Sequence, residues 1–125
     1  MGWSVDHIKE ENVMVLTYLG VMSFRDIVES SITNINQANE NSSTKMLVDC
    51  THLKIKANRT ELFELPNSLY TKWGMNPATR LALIEPRDLR AKATTEFYIF
   101  ATQNLGWFAK MFKNRKKAME WLHEE

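Results

Sequence analysis

The sequence is poor in the residues that build disulfides, metal sites and phosphate-binding loops. Cys50 is the only cysteine, which excludes an intramolecular disulfide. The three histidines, His7, His52 and His123, fall in three different segments, whereas a zinc site needs about three or four ligands. The four glycines are scattered, so no glycine-rich phosphate loop is present. We therefore expect no metal and no cofactor.

Long hydrophobic runs and an excess of one charge are also missing. No apolar run approaches the roughly 18 residues of a membrane span, so we expect no transmembrane segment. The net charge of +1 gives no general reason to expect nucleic acid. The first residues lack a basic region followed by an apolar stretch, so we expect no signal peptide and a cytoplasmic protein. A length of 125 residues, with 44% of them apolar, predicts a single domain over residues 1–125.

Hydrophobic periodicity predicts an α/β fold with a mixed five-stranded sheet and about four helices. The alternating residues 3–8 and the apolar residues 13–19 predict an N-terminal β-hairpin. Short apolar runs predict three further strands at residues 46–50, 81–84 and 108–112. Strands that alternate with helices imply right-handed crossovers and a parallel core. Lys110, in the middle of the last strand, indicates a sheet edge.

Capping residues predict where the helices begin. Ser23 precedes Asp26 and Asn58 precedes Glu61 at the spacing of a capping box, and Asn114 is the predicted cap of the last helix.

Pro66 interrupts the apolar face of the second predicted helix. Proline is costly in a helix interior but is accepted in a first turn. We therefore expect one helical turn up to Leu65, followed by a kink or a new start at Pro66.

The strand at residues 46–50 is the predicted centre of the sheet, because a nearly continuous apolar run indicates burial on both faces. Residues 51–57 are expected to form a polar loop beyond its carboxyl end, where ligands collect in open α/β sheets. Asp49, Thr51 and His52 cluster there as an acid, a hydroxyl and a base. Successive strand side chains diverge, so we favour Asp49 as a hydrogen-bond acceptor for the loop. We expect Cys50 to be a small core residue and predict no catalytic residue and no enzyme.

Cations crowd the start of the last helix, where they oppose the helix dipole. A bound anion would offset this cost, which makes the cluster a candidate anion site. The alternative, which we favour, is a solvated surface strip. The residues concerned are Lys113, Arg115, Lys116 and Lys117.

Aromatic residues recur on the second and third predicted helices. If these helices are neighbours, the rings that face each other line an apolar cleft, with a closed core as the favoured alternative. The rings are Phe63, Tyr70 and Trp73 on the second helix, and Phe97 and Phe100 on the third.

Two stretches, in the predicted order of elements, resemble a known family. The first is Leu47-Val48-Asp49, followed by Thr51 and a helix about ten residues later. The second is the C-terminal stretch 111–122, which ends in Trp121-Leu122. Together they resemble the STAS domain, the fold of bacterial anti-sigma-factor antagonists, in a branch of uncharacterised small bacterial STAS-like proteins. That branch is also similar in fold to CRAL-TRIO lipid-binding domains.

The resemblance implies a non-catalytic module that binds another protein or a second copy of itself as a homodimer. The implied partner or regulatory loop carries Asp49, Thr51, His52, Asn58 and Thr60. In phospho-regulated antagonists this loop contains a phosphorylated serine and a glycine at the helix start. Here residues 57–60 contain neither, so we expect no obligatory phosphorylation switch at Thr60. The alternative function is a carrier or sensor of a small apolar, lipid-like ligand.

Overall fold

Apolar runs become the five strands of one mixed sheet in the computed structural model, which describes residues 2–124. Strand order follows chain order, β1 is antiparallel to β2, and the remaining neighbours are parallel. The predicted mixed sheet and the edge position of the strand that carries Lys110 are confirmed. The strands are β1 Trp3–Ile8, β2 Val13–Met22, β3 Lys45–Ile55, β4 Arg80–Ile84 and β5 Phe108–Phe112.

Four helical segments connect or follow the strands. Side-chain oxygens of Ser23, Asn58 and Asn114 cap the first turns of three of them, which confirms the predicted starts. The Asp88 side chain caps the fourth. None of the helices within residues 2–124 is both long enough and apolar enough to cross a bilayer. The first, third and fourth segments are α1 Phe24–Glu40, α4 Leu89–Asn104 and α5 Arg115–Leu122. The second segment consists of α2 Arg59–Glu64 and α3 Tyr70–Lys72, joined by a π turn, Leu65–Leu69.

The predicted break at Pro66 is a π turn rather than a fresh helix start. Proline has no amide hydrogen, so it cannot continue the regular ladder of the helix. The chain widens by one residue, and the Tyr70 amide donates to the Leu65 carbonyl. The Pro66 carbonyl accepts a hydrogen bond of 2.9 Å from the Trp107 indole. Residues 59–72 therefore form one helical segment whose wider turn is held from outside.

The prediction that residues 51–57 form a polar loop is wrong for residues 51–55, because β3 continues to Ile55. The alternation from His52 to Ile55 is typical of a strand with one face buried, and Leu53 is buried while Lys54 is exposed. An irregularity in the ladder near Tyr18 shifts the register before the pairing with β2 resumes.

The sheet has unequal cover on its two faces. The core cluster on one face contains buried residues of α1, of residues 59–72 and of α4, whereas the cluster on the other face contains residues of α5. Val48 is 8% exposed and Leu83 is 6% exposed, as expected for the central strands. Leu47 packs on the α5 side with Ala118. The predicted burial of both faces of β3 is confirmed.

The inward face of α4 differs from the prediction. The stripe that contains Phe97 and Phe100 was expected to turn inward, but Phe100 is 66% exposed. The residues that α4 buries are Ala91, Thr95, Tyr98, Ile99, Ala101 and Thr102. Their spacing is helical, but half of them carry hydroxyl groups, which hydropathy alone does not rank as core.

We expect Leu47→Ala to lower the free energy of unfolding by roughly 2–5 kcal/mol, because Leu47 is fully buried on the central strand. Urea unfolding followed by circular dichroism measures the change. Leu89→Ala is the control, since Leu89 is 81% exposed, and it should change stability by less than about 0.5 kcal/mol. A small effect at Leu47 would contradict the doubly buried β3.

Candidate functional site

The candidate site lies where β2 and β3 extend beyond their neighbours. β1 pairs with β2 as far as Tyr18, and β4 pairs with β3 as far as Asp49. Beyond these positions β2 and β3 continue to pair with each other up to Met22 and Ile55. The result is a two-stranded extension at the carboxyl end of the parallel strands, where ligands bind in open α/β sheets.

No helix within the described residues 2–124 covers one face of this extension. Register partners on neighbouring strands point to the same side, so Leu19 lies beside His52 and Val21 beside Lys54. Helix α5 packs mainly on β3, β4 and β5. The β2 residues in its core cluster, Val13 and Val15, lie at the opposite end of the strand from Leu19 and Val21. Leu19 is 59% exposed and Val21 is 51% exposed. We call these four residues the open face.

Asp49 and Thr51 stabilise the strand just before the open face. The Asp49 carboxylate accepts hydrogen bonds from the Thr51 amide at 3.0 Å and from the Thr51 hydroxyl at 2.6 Å. This confirms Asp49 as an acceptor for the residues that follow it. His52 belongs to the open face, and no hydrogen bond joins it to Asp49 among residues 2–124.

A basic groove lies on the helical side of the same edge, between the residues after β3 and the start of α4. Lys56, Arg59 and Arg90 contribute three cations to its lining, together with Asn58 and Thr94. The Arg59 guanidinium lies 5.2 Å from the centre of the Phe97 ring, a cation–π geometry that orients it. Both sides of this edge therefore carry positive charge.

An apolar cavity of about 70 Å³ lies between the sheet and the three helical segments that cover it. The hydroxyls of Tyr70 and Tyr98, both in its lining, bond to each other. The Tyr18 hydroxyl bonds to Ser30 at 2.6 Å. Burial raises the pKa of each of these tyrosines and also of the Cys50 thiol, so all four groups are neutral at physiological pH.

Comparison with known proteins gives a fold. No family model and no curated protein matches the sequence. Similar solved structures include an uncharacterised DUF3478-family protein with a SpoIIAA-like fold from Shewanella loihica PV-4, with a TM-score of 0.60, 18% identity and coverage of 96% of this chain and 91% of its own. The unphosphorylated anti-sigma factor antagonist SpoIIAA has a TM-score of 0.57 and 13% identity over 96% of both chains. Phosphorylated SpoIIAA of Bacillus has a TM-score of 0.56 and 14% identity over 97% and 99%.

The chain has the SpoIIAA-like fold. The resemblance to the STAS domain is thereby confirmed at the level of the fold, with element order and sheet as expected. Identities of 13–18% carry the fold alone.

The residues of the expected partner loop are divided between a strand and a helix start of this SpoIIAA-like fold. Asp49, Thr51 and His52 lie on β3, whereas Asn58 and Thr60 begin the next helix. The Asn58 side chain accepts from the Glu61 amide at 2.8 Å, and the Asn58 amide donates to the Glu61 carboxylate at 3.0 Å. Asn58 is therefore the predicted cap, and Thr60 is an exposed residue inside the first turn.

The five rings of the expected aromatic cleft do not converge. Tyr70 is buried, Trp73 lies 6.4 Å from it edge to face, and Phe63 is half-buried. Phe97 lies under Arg59, and the expectation that Phe100 faces the cleft is wrong. The partners that Tyr70 meets inside are Tyr98 and, at 5.8 Å, Trp107. The helical spacing of Thr95, Tyr98 and Thr102 is the sequence signal that identifies the missed face.

The basic cluster at the start of α5 is exposed. Asn114 accepts from the Lys117 amide at 2.9 Å, so the helix start already has an acceptor. Lys110 lies 5.8 Å from the Trp121 ring. The anion site at Lys113, Arg115, Lys116 and Lys117 stays a prediction. Among residues 2–124, no three His, Cys, Asp or Glu side chains are grouped closely enough to hold a metal ion.

We expect Asn58→Ala to lower the free energy of unfolding by about 1 kcal/mol, because it removes the capping box. Thr60→Ala should cost less than about 0.5 kcal/mol, since Thr60 is exposed and does not cap the helix. Chemical denaturation of both variants measures the difference. A larger loss at Thr60 than at Asn58 would be incompatible with these assigned roles.

Stability should fall as the pH rises from 10 to 12. Burial raises the pKa of Tyr98 from 10.0 to about 12, so the fold disfavours its phenolate. Because the folded pKa is the higher one, this stabilisation is complete below pH 10 and is lost as the pH approaches 12. Urea unfolding at each pH gives the free energy of unfolding as a function of pH. Between pH 10 and 12 this free energy should fall less steeply in Tyr98→Phe than in the wild type, by on the order of 1 kcal/mol per pH unit. Equal slopes in both proteins would argue against it.

Proposed function

We propose that the protein is a non-catalytic binding module that acts through protein–protein interaction at the open face. The observation that carries the proposal is the pair of exposed apolar side chains Leu19 and Val21, two residues apart on β2, where β2 is hydrogen-bonded to β3 outside the helical cover. Their backbone is already ordered by the ladder, so a partner gains apolar burial without the cost of ordering a loop.

The charges around the open face indicate the chemistry of the partner. His52 and Lys54 stand beside the two apolar side chains. An interface of this kind has an apolar centre and a polar rim. The complementary surface therefore has an apolar centre with acidic groups around it, which also accelerates association.

The hydrogen bonding of the acid on β3 supports a binding role rather than catalysis. The Asp49 carboxylate is engaged by Thr51 and stabilises the strand on which His52 stands. One solved structure of the same fold is named an anti-sigma factor antagonist. The proposal takes from that name only a general role in acting on another protein, since fold by itself does not fix function.

We assign this interaction to the cytoplasm, because the single cysteine, Cys50, is a free thiol buried in the core.

A second candidate function is the carriage or sensing of a small apolar ligand. The observation that favours it is the apolar cavity of about 70 Å³ between the sheet and its helices. This candidate uses a different part of the molecule from the open face, so the two are tested separately.

The double variant Leu19→Lys, Val21→Lys should weaken partner binding by at least about tenfold, because it places charge at the apolar centre. The partner is first isolated by affinity capture and crosslinking on the wild-type protein. It is then purified and titrated calorimetrically against each variant. Phe100→Lys is the matched control, since Phe100 is equally apolar and exposed but lies on α4.

The control should bind within about twofold of the wild type, and both variants should melt near the wild-type temperature. Native mass spectrometry identifies a second copy as the partner if the wild type is a dimer and the double variant a monomer. Equal losses in both variants, or full binding by the double variant, would place the interface elsewhere.

A further inference from the structure

A buried carboxamide without a hydrogen-bond partner lies in the wall of the apolar cavity. Asn34 lies on α1, is 3% exposed and lines the cavity. Its side-chain oxygen Oδ1 accepts no hydrogen bond from residues 2–124. Leaving such a group unpaired in an apolar surrounding is costly, and buried polar groups in folded proteins are normally hydrogen-bonded. An orphaned acceptor beside empty space marks a place for a donor.

The lining of the cavity requires that the part of the ligand beyond its hydrogen-bond donor is apolar. Aliphatic side chains form most of its surface, including Ile27, Ile35, Leu62, Leu65 and Met75. The cavity is about half the size of an engineered core cavity of about 150 Å³ that admits benzene. The unoccupied space therefore suits a small group, and a larger one requires the wall to move.

The other polar groups of the lining restrict the head of the ligand. The lining also contains the hydroxyls of Ser31 and Thr95, and the hydroxyls of Tyr18, Tyr70 and Tyr98 bond to partners. Within residues 2–124, Asn34 Oδ1 is the fully buried side-chain oxygen of this lining that has no hydrogen-bond partner. Of the side chains in residues 2–124, none from Lys, Arg, Asp or Glu lines the cavity. A charged head, including a carboxylate, would be buried without a counter-ion at a cost of several kcal/mol. The head is therefore neutral and donates a hydrogen bond.

One wall of the cavity contains an interruption of the regular helical ladder. Leu65 lines the cavity and opens the π turn at Leu65–Leu69, where Pro66 interrupts the regular helical ladder. π turns inside helices occur frequently at functional sites. Fewer regular hydrogen bonds hold this segment, so it can shift outward more easily than an unbroken helix.

We propose that the cavity binds a small neutral amphiphile with an apolar body and one hydroxyl donor, of the phenol or short-chain alcohol class. Its hydroxyl donates to Asn34 Oδ1, and its apolar body fills the cavity between α1 and Leu65. This inference rests on the second candidate function and refines its ligand from lipid-like to neutral and hydrogen-bonding. It does not involve the open face, so loss of either site leaves the other measurable.

The experiment compares phenol with toluene, which has the same ring without the donor. Each is titrated into the ¹⁵N-labelled full chain, and amide shifts are followed at Asn34 and Leu65 by NMR. Phenol should give saturable shifts at both positions. Toluene should bind at least about tenfold more weakly, the ratio expected for the loss of one buried hydrogen bond.

Two variants test the role of Asn34. Asn34→Leu fills the space and removes the acceptor, so it should abolish phenol binding and raise the melting temperature of the free protein. Asn34→Ala keeps the space but removes the acceptor, so phenol and toluene should bind equally. Asn36→Leu is the matched control, because Asn36 is exposed on the same helix, and it should bind phenol like the wild type.

Three results would overturn the inference. The first is an absence of saturable shifts with phenol in the wild type, with a water molecule found at Asn34 Oδ1. The second is equal binding of phenol and toluene by the wild type. The third is undiminished phenol binding by Asn34→Leu. Titration of the purified protein partner with Asn34→Leu shows independently whether the open face still works.

Discussion

The burial of β3 on both faces is the constraint on which the rest of the structure depends. Leu47 and Val48 are adjacent, so one must be covered from each side of the sheet. Three helical segments cover the side of Val48, and α5 alone covers the side of Leu47. A single helix spans only part of a five-stranded sheet. The uncovered remainder, at the extension of β2 and β3, is the open face.

The same unequal cover explains why the cavity lies where it does. Three helical segments that share one face must fit against the sheet and against each other, and the segment at residues 59–72 is widened by its π turn. The seam contains Tyr70 and Tyr98, whose hydroxyls bond to each other instead of to water. A void lined by Asn34 remains beside them.

Prediction from sequence succeeded where the signal is local and failed where two faces compete. The caps Ser23, Asn58 and Asn114 were predictable because a side-chain oxygen and the amide three residues on suffice to define them. The inward face of α4 was not, because Phe97 and Phe100 outrank Thr95 and Tyr98 in hydropathy. Hydroxyl groups that bond to each other or to the helix backbone can be buried instead.

The sequence by itself determined the order of strands and helices along the chain, the central position of residues 46–50 and the helix starts. Periodicity and capping act over a few neighbouring residues, so these features can be read locally. Only the tertiary structure decided that β3 reaches Ile55, that Leu19 and Val21 stay uncovered, and that Asn34 lines a cavity. These features depend on which helix covers which strand. Contacts between residues distant in the sequence determine which strands the helices cover, and no local sequence pattern encodes these contacts.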